Sequence, residues 1–190
     1  MLDLPFKLIL ASASPRRQAL LKEMDVEFSV RLQLVDEKYP EDLAAEKVAE
    51  YLAGKKAQAY IISDEELLLT ADTVVVLEGE VLGKPADTAE AITLLRKQSG
   101  KLQTVITGVC LRTTSDVLTF SNSTDVLFNH LTDEEILYYV NKYKPYDKAG
   151  GYGIQEWLGN IAIARIEGSY TNVMGLPTEA LYNALRSFEL

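Results

Sequence analysis

The chain has 190 residues, of which 47% are hydrophobic and 25% are charged, and its formal net charge is −9. This length suits one domain, or two small lobes sharing a cleft, and a single cysteine excludes an internal disulfide framework and favours the cytoplasm. The acidic net charge disfavours nucleic acid and anionic membranes as partners. Because the chain has a single histidine, a His-rich zinc site is excluded. No apolar run approaches the roughly 20 residues that are needed to span a bilayer.

Predicted strands and helices alternate along the chain, which indicates an α/β architecture. Residues 7–11 are typical of a buried strand, and Ser14 and Pro15 then mark the start of a helix that runs to Met24. The other predicted elements, in chain order, are strand 26–32, helix 43–62, strands 67–77 and 81–82, helix 87–98, a hairpin of strands 101–113 and 117–131, helix 132–143, strand 160–167 and helix 177–188. Residues 147–159 are rich in glycine and are predicted to form a loop. A mixed sheet flanked by helices is the simplest assembly.

The first candidate site follows the first predicted strand. Ser12 lies in a hydroxyl-rich turn, and Arg16 and Arg17 lie in the first helical turn. The free N–H groups and positive dipole end of a helix start favour an anion, and a bound phosphate would explain two arginines at a position that is unfavourable for the helix itself. A helix cap with two solvated arginines explains this segment equally well.

An aspartate interrupts the longest apolar strand pattern of the chain. Asp72 stands in the middle of LTADTVVV, followed by Thr73. A carboxylate in a buried strand costs several kcal/mol unless it is paired, hydrogen-bonded or bound to a metal. A strand edge or a bulge is the structural alternative, but the central position of Asp72 favours a functional role.

Two lysines are further candidates. Lys56 falls near the centre of the apolar stripe of its predicted helix, so it needs an anionic partner or must extend past its neighbours to water. Asp36 and Glu37 precede that helix and could supply the partner or a metal ligand, although two adjacent acids in a loop are usually solvated. Lys84 follows GEVLG, whose glycine spacing excludes a P-loop, and it could reach a phosphate from the sheet edge or be a plain surface lysine.

The glycine-rich segment DKAGGYGIQ ends in Gln155. Glycines let a backbone approach a ligand closely, and an amide side chain can both donate to and accept from the edge of a nucleobase. Taken alone, a glycine cluster is more typical of a flexible loop without a ligand.

As an ordered set, these segments resemble the Maf family of nucleotide pyrophosphatases, first described as septum-formation inhibitors. The matching segments cover nearly the whole chain and are LILASASPRR, VDE, LAGKKA, LTADTVVVLEGEVLGKP, VITGV, DKAGGYGIQ and GSYTNVMGLP. The resemblance implies an α/β, ITPase-like fold in residues 1–190, with an elongated twisted mixed sheet flanked by helices and a cleft between two lobes.

The resemblance also implies a reaction, which is hydrolysis of a nucleoside triphosphate between the α- and β-phosphates with Mg²⁺ or Mn²⁺. It makes Asp72 the general base and a metal ligand, with Glu37 helping to hold the metal. The residues expected to bind the phosphates or shape their pocket are Ser12, Arg16, Arg17, Lys56 and Lys84. The positions that tune substrate choice are Arg16, Thr73 and Gln155.

The GYGIQ segment is similar to the branch of the family that acts on dTTP and UTP. One departure is Glu156-Trp157, which stands where this branch has glycine after the glutamine; it concerns the base pocket and not the phosphate chemistry. The alternative functions are a nucleotide-binding regulator of cell division and a pyrophosphatase selective for another base such as 7-methyl-GTP. Tyr138 and Tyr139 could serve a homodimer contact or the core.

Overall fold

A seven-stranded mixed sheet is the framework of the computed structural model, which describes residues 4–188. The strands are β1 (Lys7–Leu10), β2 (Ser29–Val30), β3 (Glu66–Leu77), β4 (Glu80–Leu82), β5 (Leu102–Arg112), β6 (Val117–Phe128) and β7 (Ile163–Glu167). Their order is β2-β1-β3-β5-β6-β7, with β4 pairing on β3. β1 runs parallel to β2 and β3, whereas β4 and β7 run antiparallel to β3 and β6. The prediction of a mixed sheet is confirmed.

Seven helices accompany the sheet within residues 4–188. They are α1 (Pro15–Glu23), α2 (Ala45–Gln58), α3 (Thr88–Gln98), α4 (Asp133–Tyr143), α5 (Trp157–Ala162), α6 (Tyr170–Met174) and α7 (Thr178–Arg186). The predicted caps are confirmed for α1 and α4. The Ser14 side chain accepts from the Arg17 N–H, and Thr132 and Glu135 form a reciprocal capping box. None of these helices is long and apolar enough to cross a membrane.

The prediction of a loop over 147–159 is only partly right. A 3-10 turn covers Ala149–Gly151, and α5 starts at Trp157, so the strand predicted from residue 160 begins only at Ile163. The reason is tertiary packing: Leu158 and Ala162, one helical turn apart, are both buried. The short helix α6 was not predicted, and β2 is far shorter than the predicted strand 26–32.

The chain divides into two compact units. Of the described residues, the first unit takes 4–72, 107–122 and 175–188, and the second takes 73–106 and 123–174. Ile9, Ala53, Leu68 and the buried Cys110 belong to an apolar cluster of the first unit. The core of the second unit includes residues of α3, α4 and α5 together with Tyr152 and Ile154.

Helix α2 and strand β5 approach each other closely in the first unit. A Cβ atom on Gly108 of β5 would lie 2.2 Å from the backbone oxygen of Ala49 in α2, so only glycine fits there. By contrast, a Cβ on Gly54, in the same helix, would have no atom within 4 Å.

We expect Gly108→Ala to lower the free energy of unfolding by roughly 3 kcal/mol, because the overpacked methyl group must push helix and strand apart. Gly54→Ala is the matched control and should raise it by about 0.5–1 kcal/mol, since alanine is the better helix former. Urea denaturation followed by circular dichroism measures both changes. Equal stabilities for the two variants would contradict this account of the helix docking.

Candidate functional site

The aspartate predicted to lie inside a strand does so. Asp72 is the seventh residue of the twelve-residue strand β3, which lies between β1 and β5 in the sheet. Only 10% of its side chain is exposed. Lys56 Nζ donates to its Oδ1 at 2.6 Å, so the buried carboxylate has the charged partner that its burial demands.

Lys56 contacts a second carboxylate. Its Nζ lies 2.7 Å from Oε1 of Glu37, in the segment between β2 and α2, and only 14% of the lysine side chain is exposed. The prediction that Lys56 faces inward is therefore confirmed, and of the two predicted alternatives it has anionic partners and does not extend past its neighbours to water. One ammonium bridges Asp72 and Glu37, and it brings a helix, a strand and a loop to a single point.

The neighbouring residue Lys55 contacts the same loop as Lys56. Lys55 Nζ donates to the backbone oxygen of Lys38 at 2.7 Å and lies 3.6 Å from Oδ2 of Asp36. Asp36 thus pairs with Lys55, while Glu37 pairs with Lys56. Adjacent side chains of a helix leave it about 100° apart, so Lys55 and Lys56 reach different carboxylates.

Arg17 donates hydrogen bonds to backbone groups, one of which directly precedes Asp72. Its Nε donates to the Gly175 carbonyl at 2.7 Å, and its Nη1 donates to the Ala71 carbonyl at 2.9 Å and to Ser12 Oγ at 3.2 Å. Burial lowers the pKa of the guanidinium and the Asp72 carboxylate raises it, but arginine keeps its charge at any physiological pH. The backbone just before Asp72 is thereby held by a fixed cation.

Arg16 is half-buried in the first turn of α1, and its charge acts on Arg17. Two arginines close to one helix start concentrate positive charge where the free N–H groups of the helix also point. The first unit therefore gathers Ser12, Arg16, Arg17, Glu37, Lys56 and Asp72 from four segments of the chain.

The other three predicted residues belong to the second unit. Thr73 follows Asp72 in β3 and is half-buried, whereas Lys84 and Gln155 are exposed. The segments that carry Lys84 and Gln155 are joined, because the Gly150 N–H donates to the Gly83 carbonyl at 3.0 Å. Gly150 has φ +67°, in the left-handed region that suits glycine.

A buried polar network near Gln155 was not predicted. Lys148 Nζ lies 3.2 Å from Glu156 Oε1, and the Tyr139 hydroxyl donates to the other oxygen of that carboxylate. The position of Lys148 in the DKAGG motif was a partial signal for this network. Tyr139 is fully buried and Tyr138 is 45% exposed, so only the latter suits a contact with another chain.

Two carboxylates of the first unit suit a magnesium ion. Within residues 4–188 no group of three His, Cys, Asp or Glu side chains is placed to hold a metal. Glu37 and Asp72 nevertheless lie within 2.7 Å of the same ammonium nitrogen. Mg²⁺ commonly takes one or two carboxylates and completes its shell with water and substrate phosphate oxygens, so this donor pair fits it.

The chain is similar in sequence and in fold to several known proteins. A protein named dTTP/UTP pyrophosphatase from Porphyromonas gingivalis is 51% identical over 188 residues, covering 96% of this chain and 94% of that protein. One of the same name from Bacteroides thetaiotaomicron is 50% identical over 184 residues, covering 95% of each chain. Among solved structures, a HAM1 protein from Coxiella burnetii shares the fold, with a TM-score of 0.51 at 16% identity over 96% of this chain and 99% of that one. The family model described as "Maf-like protein" matches residues 7–188, and the chain belongs to this family.

Proposed function

We propose that this protein hydrolyses dTTP and UTP to the nucleoside monophosphate and pyrophosphate. The observation that carries the proposal is the ion-paired triad of Asp72, Lys56 and Glu37, in which the Asp72 and Lys56 side chains are largely buried. The ammonium lies 2.6 Å from Asp72 and 2.7 Å from Glu37. The substrates are taken from the name of the relatives that are 51% and 50% identical to this chain. Cleavage of a phosphoanhydride needs cations around the phosphates and an oriented water, and it needs neither histidine nor cysteine.

In this proposal Asp72 is the general base. Lys56 contacts its Oδ1, so the carboxylate is held in one orientation and Oδ2 would take the proton of the attacking water. Arg16, Lys56 and Lys84 would bind phosphate oxygens. Arg17 has its Nε and one of its Nη atoms on backbone carbonyls, so its proposed role is to fix the Ser12 and Asp72 segments that shape the pocket.

Glu37 and Asp72 would hold the divalent cation, Mg²⁺ or Mn²⁺. Such an ion neutralises phosphate charge and orients a water when it is bound. Lys56 has three N–H donors and uses two of them on these carboxylates, so it could keep Asp72 oriented and donate the third to a phosphate oxygen. We further propose a cytoplasmic enzyme; the homodimer stays a prediction.

Gln155 is the proposed reader of the base, and Arg16 and Thr73 are the other residues proposed to tune substrate choice. Its amide can pair with the O4 and N3–H edge that thymine and uracil share, which explains one pocket for two substrates. The exposure of Gln155 leaves that amide accessible to a ligand.

Product analysis tests the reaction and its base together. Wild-type protein with Mg²⁺ and dTTP should release pyrophosphate and dTMP, and Asp72→Asn should lower kcat at least a hundredfold with the fold retained by circular dichroism. Release of orthophosphate and dTDP would overturn the bond assignment. Full activity of Asp72→Asn would remove this residue from the mechanism.

Glu37→Gln tests the metal site. We expect the Mg²⁺ concentration for half-maximal activity to rise about tenfold, since one of two charged ligands is lost. Asp36→Asn is the matched control: it removes the adjacent charge, which pairs with Lys55, and should leave the Mg²⁺ dependence unchanged. Identical metal titrations for wild type and Glu37→Gln would exclude Glu37 as a ligand.

Arg17→Lys tests the positioning role of the guanidinium. Lysine lacks the planar fork from which arginine reaches the Gly175 and Ala71 carbonyls through two different nitrogens, so we expect the free energy of unfolding to fall by about 1–3 kcal/mol. The rate constant kcat should fall roughly tenfold, with KM for dTTP little changed. Lys22→Arg, a charge-conserving change on the exposed side of the same helix, should alter neither quantity. A change confined to KM would show that Arg17 instead binds the substrate.

A further inference from the structure

The hydroxyl group of Tyr139 connects two ends of the turn that carries Gln155. It accepts a hydrogen bond from the Gly153 N–H at 3.0 Å and donates one to Oε2 of Glu156. Burial, reinforced by the Glu156 carboxylate, raises the pKa of this hydroxyl above its ordinary value. The hydroxyl therefore keeps its proton and remains a donor at every physiological pH.

The turn itself is closed by its backbone. The Glu156 N–H donates to the Gly153 carbonyl at 3.0 Å. A Cβ on Gly153 would lie 3.1 Å from Gln155 Nε2 and 2.9 Å from Glu156 Cδ, so both side chains fold over the glycine. The direction of the Gln155 amide thus depends on where Gly153 and Glu156 are held.

A buried cation completes the arrangement. Only 9% of the Lys148 side chain is exposed, and its Nζ lies 3.2 Å from Glu156 Oε1 and 2.7 Å from Asp147 Oδ1. Each oxygen of the Glu156 carboxylate therefore has its own donor, lysine on one side and tyrosine on the other. A carboxylate with both oxygens satisfied has one favoured orientation.

The tyrosine is anchored in a rigid helix. Tyr139 belongs to the buried core of the second unit, and its ring stacks on that of Tyr143 at a centroid distance of 5.0 Å. The helix that carries both starts with a complete capping box. The position of the turn is therefore set by contact with a helix and not with another loop.

We propose that Tyr139 and Glu156 are positioning residues for base selection: they aim the Gln155 amide and so set the preference for pyrimidine over purine nucleotides. This inference rests on the proposed role of Gln155 as the reader of the base. It assigns a function to Glu156, which the motif comparison marked only as a departure from glycine. Neither residue needs to touch the nucleotide.

The test measures kcat and KM for dTTP and dGTP in Tyr139→Phe, Glu156→Gln and Gln155→Ala. We expect each change to reduce the ratio of kcat/KM for dTTP over dGTP about tenfold, mainly through KM for dTTP, while kcat with dTTP changes less than about threefold. Glu156→Gln keeps the size of the side chain, so folding should be retained. Tyr143→Phe is the matched control, since it removes a tyrosine hydroxyl one helical turn away and should leave the ratio unchanged.

The double variant Gln155→Ala/Glu156→Gln separates positioning from simple structural damage. If Glu156 acts through Gln155, the second change should add no further loss of preference to the first. Multiplication of the two losses would overturn the inference. An unchanged ratio in Gln155→Ala would instead refute the base-reading role of Gln155, whereas an effect of Gln155→Ala without one of Tyr139→Phe or Glu156→Gln would refute the positioning role alone.

Discussion

The placement of one ammonium group between two carboxylates is the constraint on which the first unit depends. An ionised Asp72 inside a strand costs several kcal/mol if it has no partner, and breaking a buried pair is expensive because the remaining charge stays buried. Lys56 removes that cost only if helix α2 presents it toward strand β3. Glu37, whose side chain is 46% exposed, adds a second carboxylate from the loop to the same ammonium. Two segments distant in sequence must therefore be placed together before Asp72 is neutralised.

Helix α2 satisfies this constraint because its i, i+3 side-chain spacing matches the i, i+2 spacing of strand β3. Thr70 and Asp72 lie two residues apart in β3 and so point to the same face of the sheet. Thr70 Oγ1 donates to the Ala53 carbonyl at 2.7 Å, and Asp72 meets Lys56, three residues further along the helix. Because i, i+3 neighbours share one side of a helix, a single docking geometry satisfies both contacts. The glycine at 108, against Ala49, lets the helix lie this close.

The sequence patterns predicted those features that depend on residues close together in the chain. The β-branched run of β3, the caps of α1 and α4, and the inward direction of Lys56 all depend on neighbouring residues, and each prediction was confirmed. The contacts of Arg17 and Tyr139 could not be predicted, because they join groups brought together by tertiary folding. Arg17 and Gly175 are 158 residues apart in the chain. The helix α5 escaped prediction for the same reason, since core packing outweighs its glycine.

The two units pose different physical problems to a nucleotide enzyme. The buried Asp72 carboxylate of the first unit must be neutralised whether or not a substrate is bound, so its partner Lys56 is built into the fold. Reading a base requires no charge, only an amide at the correct angle, and each such hydrogen bond contributes on the order of 1–3 kcal/mol when its loss leaves a partner unsatisfied. Selectivity of this kind depends on the stiffness of a turn. The ion pairs and hydrogen bonds around Gly153 and Glu156 supply that stiffness, and all of them lie within the second unit. If Gln155 has its proposed role, base preference can change while Asp72 and Lys56 of the first unit stay as they are.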